Sequence, residues 1–227
     1  MTTTMTASAA HATVLERVAT MRLIPVIVID DPDDAVPLAR ALSDGGLPCA
    51  EITLRTPRAM EALRRIASEL PDVLIGAGTV LTPAQAAEAR AAGARFAVAP
   101  GFNAGVVEFC QSVDLPVLPG VCTPTEIEMA LGAGLSVVKF FPAEPIGGLP
   151  FLKAVAAPYT TGLSFIPSGG IGPSNLASYL TFPRVVACNG SWMAPNDWIA
   201  AGLFDRIRDT TRAAVAIANS VTAGGRA

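Results

Sequence analysis

The sequence is poor in the residue types that most often build hydrolytic and metal sites. Its 227 residues include one histidine, His11, and four cysteines, none of them in C-x-x-C spacing. A Ser-His-Asp triad or a histidine-ligated zinc would need that single histidine near the N-terminus. We therefore discount both of these sites, and we expect no metal ion and no cofactor in this protein. The unpaired spacing of the cysteines favours reduced thiols, which are typical of the cytoplasm.

Charge is also scarce and is not clustered. Charged residues make up 15% of the chain, the formal net charge is -3, and no basic run is present. This composition argues against nucleic-acid binding. No apolar run reaches the roughly 18 residues that a membrane-spanning helix needs, and the N-terminus lacks the basic start of a signal peptide. We expect a flexible leader over residues 1–13 and a flexible tail over 221–227.

Short apolar runs are abundant and alternate with helical patterns. They recur about every 23 residues, a spacing that fits one strand, one helix and two short loops. The eight runs are LIPVIVI (23–29), CAEITL (49–54), VLIGAGT (73–79), FAVAP (96–100), PVLPG (116–120), SVVKFF (136–141), SFIPSGG (164–170) and VVACNG (185–190). Strands that are apolar on both faces, each followed by a helix, indicate a parallel sheet.

Eight such units predict an α/β protein with a single domain over residues 14–220, a (β/α)8 TIM barrel. Helix signals between the strands agree, because Thr82-Pro83 and Thr123-Pro124 are typical helix starts and Asn196-Asp197 predicts the last helix. The alternative is an open doubly wound sheet, which usually has a glycine-rich turn after its first strand. Here that turn is acidic, IVIDDPDD (27–34).

Active sites of barrels lie at the carboxyl ends of the strands, so polar residues at those ends are candidates. In the second run, Glu51, Thr53 and Arg55 share one face because side chains of a strand repeat every two residues. The spacing predicts three polar groups pointing into the barrel together. A plain ion pair between Glu51 and Arg55 at the rim is the alternative.

Lys139 is the most unusual residue, because it stands inside the apolar run SVVKFF. Lysine is rare in this chain, and the only other one is Lys153, on a predicted helix surface. Burial in apolar surroundings favours the neutral form of an amine. A neutral amine is a nucleophile that can form a Schiff base with a ketone, whereas arginine stays protonated. A side chain that simply extends to solvent is the alternative.

Small residues follow the seventh and eighth runs. Ser168-Gly169-Gly170 precedes a helix opened by Pro173, and Gly190-Ser191 follows the eighth strand. Barrels often bind phosphate at this place through backbone N–H groups of the loops. Two such loops together favour a phosphate site over ordinary tight turns.

These motifs carry a family resemblance that covers about residues 22–195. The chain resembles the 2-keto-3-deoxy-6-phosphogluconate (KDPG) and 4-hydroxy-2-oxoglutarate aldolases. The matching motifs, in the family's order, are PVIVID (25–30), EITLRT (51–56), IGAGTVL (75–81), APGF (99–102), LPGVCTPTE (118–126), KFFPAE (139–144), PSGGI (167–171) and NGSWM (189–193).

The resemblance implies a metal-free class I aldolase, a (β/α)8 barrel and a homotrimer. In KFFPAE, Lys139 corresponds to the Schiff-base lysine, and in EITLRT, Glu51 corresponds to the general acid/base. Arg55 and Thr79 correspond to the groups that hold the pyruvate carboxylate. Pro100 and Phe141 are candidate apolar walls beside the amine. The substrate is a phosphorylated keto acid.

The phosphate-binding positions implied by the resemblance are Gly169, Gly170 and Ser191. Two residues beside them depart from the family's pattern. Ser168 stands where threonine is common before GGI, which keeps the hydroxyl. Asn189 stands where glycine is common before GSW, which bears on the geometry of the phosphate loop.

Two other functions fit parts of the sequence. An isomerase or synthase acting on small phosphorylated molecules would share the two small-residue loops but would not need Lys139. A trimeric barrel that serves as an assembly scaffold would need neither feature. The pattern also leaves open which aldehyde is released with pyruvate, glyceraldehyde 3-phosphate or glyoxylate.

Overall fold

The computed structural model describes residues 9–221, in which strands and helices alternate. The strands are β1 (Leu23–Ile27), β2 (Cys49–Thr53), β3 (Leu74–Gly78), β4 (Phe96–Val98), β5 (Val117–Leu118), β6 (Gly120–Val121), β7 (Val137–Phe140), β8 (Ser164–Pro167) and β9 (Cys188–Gly190). The helices are α1 (Ala9–Met21), α2 (Ala35–Asp44), α3 (Ala59–Glu69), α4 (Pro83–Ala91), α5 (Ala104–Ser112), α6 (Pro124–Gly132), α7 (Gly148–Ala156), α8 (Leu176–Leu180), α9 (Asn196–Ala200) and α10 (Phe204–Ser220).

Most of the expected leader and tail, residues 1–8 and 222–227, lies outside the described residues. Helix α1 begins inside the segment assigned to the leader. No helix within residues 9–221 is both long enough and apolar enough to cross a bilayer.

All paired strands run parallel, as expected for strands that alternate with helices. Six of them form one sheet in the order β5-β4-β3-β2-β1-β9, and the other three form a second sheet in the order β6-β7-β8. Neighbours in the sheets are mostly neighbours in sequence, without the reversal of order that defines a doubly wound sheet. The protein is an α/β fold with a curled parallel sheet.

The two sheets meet at both of their ends. On one side, β5 and β6 are separated only by Pro119, so the expected fifth strand is divided in two. Proline has no N–H to donate to a ladder, but the Pro119 carbonyl accepts a hydrogen bond from Lys139 N at 2.9 Å. On the other side, Phe165 of β8 forms a parallel bridge with Val185, and its carbonyl accepts from Val186 N at 3.1 Å.

The predicted helix starts are confirmed where a threonine precedes a proline. Thr82 and Thr123 each accept a hydrogen bond from the backbone three residues on, and Gln85 and Glu126 complete the two capping boxes. The predicted last helix is instead two helices. The chain turns between α9 and α10 at Gly202, whose φ of 67° lies in the left-handed region that glycine adopts without a steric penalty.

The core contains few polar side chains. Among the described residues, the buried polar or charged ones are Glu51, Thr53, Lys139, Ser168, Asn189 and Thr211. Burial of such groups is costly unless they are paired or hydrogen-bonded. All of them except Thr211 line a single cavity at the carboxyl ends of the strands.

Candidate active site

The cavity has a volume of about 350 Å³ and collects residues from widely separated parts of the chain. It is lined by Val26, Val28, Glu51, Thr53, Arg55, Thr79, Pro100, Lys139, Phe141, Ser168, Gly169, Gly170, Ile171, Asn189, Gly190, Ser191 and Asn196. All ten candidate residues expected from the sequence are among them. The parallel strands explain this, because their carboxyl ends open on the same side of the sheet.

Lys139 and Glu51 form the charged centre of the cavity. The Nζ of Lys139 lies 3.7 Å from Oε1 of Glu51, and the two side chains are only 9% and 1% exposed. Strand β7 is hydrogen-bonded on both sides, which places Lys139 opposite Gly120 of β6 and Ile166 of β8. The ring of Phe141 lies beside the amine, with its centroid 5.1 Å from Nζ. The lysine is therefore fixed by its strand and meets both a carboxylate and an aromatic face.

Glu51 has a second partner on the opposite side of β1. Nδ2 of Asn189 donates a hydrogen bond to Oε2 of Glu51 at 2.7 Å. Burial raises the pKa of the Glu51 carboxyl, while the charge of Lys139 and the Asn189 hydrogen bond act in the opposite direction. A raised pKa favours proton uptake by this carboxyl, and a buried carboxyl with a shifted pKa beside a lysine is a candidate general acid/base.

Arg55 and Thr79 lie where the strands β2 and β3 end. Arg55 is exposed, and its guanidinium has no ion-pair or hydrogen-bond partner within residues 9–221, so its donors are available to an anionic ligand. Thr79 has a φ of 59°, in the left-handed region. That conformation is unusual for a β-branched residue, and such backbone strain clusters at functional sites.

The loops after β8 and β9 bring backbone groups to the other end of the cavity. Gly169 and Gly170 have φ values of 95° and 81°, so both need the left-handed conformation. The Gly169 carbonyl accepts a hydrogen bond from Glu144 N at 3.0 Å, which connects this loop to the KFFPAE segment. After β9, the ring of Trp192 packs directly on Gly190, where an added Cβ would lie 1.6 Å from it.

Several lining residues are absent from the sequence-based candidates. Val26, Val28 and Ile171 are apolar walls, and Asn196 approaches from the start of α9. Asn189 stands out in the sequence only as a departure beside the phosphate loop, whereas the structure places its side chain on Glu51. An asparagine inside the otherwise apolar run VVACNG was the available signal. Its partner could not be inferred, because the two residues are distant in sequence.

The described residues also include no group of three or more His, Cys, Asp or Glu side chains arranged to hold a metal ion. All four cysteines are free, and three of them are buried.

The chain also matches known proteins over most of its length. A family model described as KDPG and KHG aldolase matches residues 14–210. The 2-dehydro-3-deoxy-phosphogluconate aldolase of Treponema pallidum is 53% identical over 195 residues, which cover 86% of this chain and 92% of that protein.

Solved structures give the same result. The KDPG aldolase of Legionella pneumophila, with pyruvate captured at low pH as a covalent carbinolamine intermediate, has a TM-score of 0.85 and 41% identity, over 91% of this chain and 98% of that one. The Zymomonas mobilis ZM4 enzyme with 3-phosphoglycerate has a TM-score of 0.81 and 39% identity, over 91% and 95%. The family match and these likenesses span most of the chain, which therefore belongs to the KDPG and KHG aldolase family.

Proposed function

We propose that this protein is a class I aldolase that cleaves 2-keto-3-deoxy-6-phosphogluconate to pyruvate and glyceraldehyde 3-phosphate. The same site would cleave 4-hydroxy-2-oxoglutarate to pyruvate and glyoxylate. The observation that carries the proposal is the buried contact between Lys139 Nζ and Glu51 Oε1 at 3.7 Å in the cavity. Membership of the aldolase family supplies the reaction class.

Lys139 is the nucleophile. Its amine adds to the C2 ketone of the substrate to give a carbinolamine, and loss of water from that carbinolamine gives a protonated imine. Glu51 is the carboxylate that contacts this amine, so it is placed to accept the proton that the ammonium group must lose. The protonated imine then withdraws electrons from the C3–C4 bond.

Glu51 is also the general acid/base of the cleavage step. It removes the proton of the C4 hydroxyl, directly or through one water, and the C3–C4 bond breaks. The bonding electrons form an enamine of pyruvate on Lys139, and the aldehyde leaves. Glu51 then returns the proton to C3, and hydrolysis of the imine releases pyruvate. General acid–base help of this kind contributes about two to four orders of magnitude in rate.

Arg55 and Thr79 hold the carboxylate next to the reacting ketone. A planar guanidinium can bind both carboxylate oxygens at once, which fixes the carbon that meets Lys139. The Thr79 hydroxyl adds a further donor. Pro100 and Phe141 are the apolar walls, and the position of the Phe141 ring beside Nζ supports its role.

The phosphate lies in the loops after β8 and β9. Ser168, Gly169, Gly170 and Ser191 all line this end of the cavity. Two consecutive left-handed glycines allow the backbone to approach a ligand closely, and successive backbone N–H groups form a concave anion site. This arrangement supports a phosphorylated substrate.

We further propose that the two sheets complete a closed (β/α)8 barrel in a single domain over residues 14–220. The bridge between Phe165 and Val185 and the one-residue gap at Pro119 support closure.

We also propose a homotrimer in the cytoplasm, in agreement with the family resemblance and the free cysteines. Light scattering tests the trimer, and a much larger particle would instead favour the assembly scaffold.

The activity can be tested with the two lysines of the chain as a matched pair. Purified protein is given KDPG, and pyruvate release is followed with and without a chelator. Lys139→Ala should abolish release, whereas Lys153→Ala on the exposed face of α7 should retain it. If the wild type releases no pyruvate, or if the chelator abolishes release, the proposal of a metal-independent KDPG aldolase is wrong.

A further inference from the structure

Asn189 occupies an unusual position for an amide side chain. It lies in β9, is 1% exposed, and faces the cavity. Strand β1 separates β9 from β2, since Ile24 pairs with Asn189 on one side and Val26 pairs with Glu51 on the other. The side chains of Asn189 and Glu51 therefore meet over the inner face of β1, where Nδ2 donates to Oε2 at 2.7 Å.

This hydrogen bond makes the two oxygens of Glu51 unequal. Oε2 is occupied by the amide, whereas Oε1 has no hydrogen-bond partner among the described residues and lies 3.7 Å from Lys139 Nζ. When Glu51 is ionised it only accepts hydrogen bonds, so the NH₂ group of the amide must face it, as the structure has it. Oδ1 of Asn189 is thus the second buried acceptor without a partner in this cavity.

A buried oxygen without a hydrogen-bond donor lowers the stability of the folded state. Such atoms are rare in native proteins, so two of them in one cavity call for an explanation. Both atoms belong to residues that line the cavity, where a donor of an entering ligand, such as a substrate hydroxyl, can reach them. The lysine ammonium is the donor already near Oε1, and a hydroxyl next to the reacting carbon would be the other. The arrangement thus suits proton transfer at Oε1 and hydrogen bonding at Oδ1.

We propose that Asn189 is a positioning residue that holds Glu51 by Oε2, so that Oε1 is the oxygen that transfers protons. The inference rests on the proposed aldolase function and names a residue that departs from the family's common glycine. Without the amide, the Glu51 carboxylate could rotate and offer either oxygen to Lys139. A single fixed oxygen keeps the proton donor and acceptor in line with the substrate.

The Asn189 amide also affects whether the Glu51 carboxyl is protonated or ionised. Burial raises the Glu51 pKa, and the Asn189 hydrogen bond counteracts that rise by stabilising the anion. The other titratable groups near Glu51 are Lys139 from β7 and Cys49 on its own strand, and Arg55 lines the same cavity. Burial raises the pKa of Cys49 to about 12, so this thiol stays neutral over the working range. The neighbouring β3 contributes only the backbone of Gly78.

The test is the pH profile of kcat/KM for KDPG cleavage in three variants. Asn189→Ala removes the donor, so more Glu51 is protonated at a given pH. The acid limb, which is the rise of kcat/KM on the low-pH side of the profile, should move to higher pH by about one to two units. This is the range expected for losing a hydrogen bond to a charged group. Asn189→Asp is nearly isosteric and places two carboxylates in contact, so its acid limb should move at least as far. Thr53→Val removes another buried hydrogen bond of the cavity, from Thr53 Oγ1 to Ile27 O, and its acid limb should stay in place.

A uniform loss of activity in Asn189→Ala and Asn189→Asp, with unchanged acid limbs, would overturn the positioning role. Exchange of the pyruvate methyl protons for deuterium provides a second readout that needs only the Schiff base and Glu51. The inference holds if the wild type exchanges these protons and if the pH profile of the exchange rate in Asn189→Ala and Asn189→Asp shows the same shift of the acid limb. If the wild type neither exchanges nor cleaves, the aldolase proposal itself has failed. If Asn189→Ala does not fold, the isosteric Asn189→Asp decides the matter alone.

Discussion

Gly78 leaves the space that Oε1 of Glu51 occupies. A Cβ atom added at Gly78 would lie 2.2 Å from that oxygen, closer than any real Cβ contact. Strands β2 and β3 are paired in register along their length, with Thr53 opposite Gly78, so the backbone cannot easily yield. A glycine at the end of β3 is therefore a requirement of the Glu51 position.

We expect Gly78→Ala to displace the Glu51 carboxylate and to lower kcat. A misplacement of about 1 Å can cost roughly a hundredfold in rate, and kcat for KDPG cleavage measures it. Gly132→Ala at the end of α6 is the matched control, because an added Cβ there meets no atom within 4 Å. Full activity in Gly78→Ala would show that the exact position of Oε1 does not matter.

Thr79 allows backbone strain to be separated from side-chain chemistry. Both Thr79→Ala and Thr79→Gly remove the hydroxyl, so both should weaken pyruvate binding to the same extent. Only glycine adopts the φ of 59° without strain, and we expect its variant to be more stable than the alanine variant by about 1 kcal/mol in free energy of unfolding. Equal denaturant midpoints in the two variants would contradict a strained residue at this position.

Gly170 tests the phosphate site. Its φ of 81° and the 2.5 Å approach of an added Cβ to Glu144 make Gly170→Ala unfavourable. The distorted loop should lose kcat/KM for the phosphorylated substrate by about tenfold or more, as expected for a loss of 1.4 kcal/mol or more in binding. Cleavage of the unphosphorylated sugar acid should change little.

Gly172→Ala is the control for that substitution, since it lies in the same loop and an added Cβ meets nothing within 4 Å. It should preserve the preference for the phosphorylated substrate. If Gly170→Ala and Gly172→Ala lower kcat/KM by the same factor for the phosphorylated and the unphosphorylated substrate, the loop after β8 does not bind the phosphate.

The sequence was most informative where local chemistry decides the structure. Thr82-Pro83 and Thr123-Pro124 predicted two helix starts correctly, because capping depends on residues within one turn. The apolar runs located the strands, although 116–120 became two strands around Pro119. The break at Gly202 was missed, since a single glycine does not by itself show whether a helix ends.

The candidate site was predicted as a set of residues but not as a set of contacts. Glu51 and Lys139 were expected in one barrel mouth, and they do line one cavity. Their separation and the third partner Asn189 depend on strand register, which short-range patterns do not determine. Lys139 was expected beside apolar walls and in the same barrel mouth as Glu51, and the structure adds the distance of 3.7 Å between its amine and the Glu51 carboxylate.

The central claim is that Lys139 forms a Schiff base with pyruvate. The protein is incubated with pyruvate, the imine is reduced with borohydride, and the modified peptide is located by mass spectrometry. We predict one adduct per chain, on Lys139, and none in Lys139→Ala. An adduct on Lys153, or no adduct in the wild type, would contradict the account.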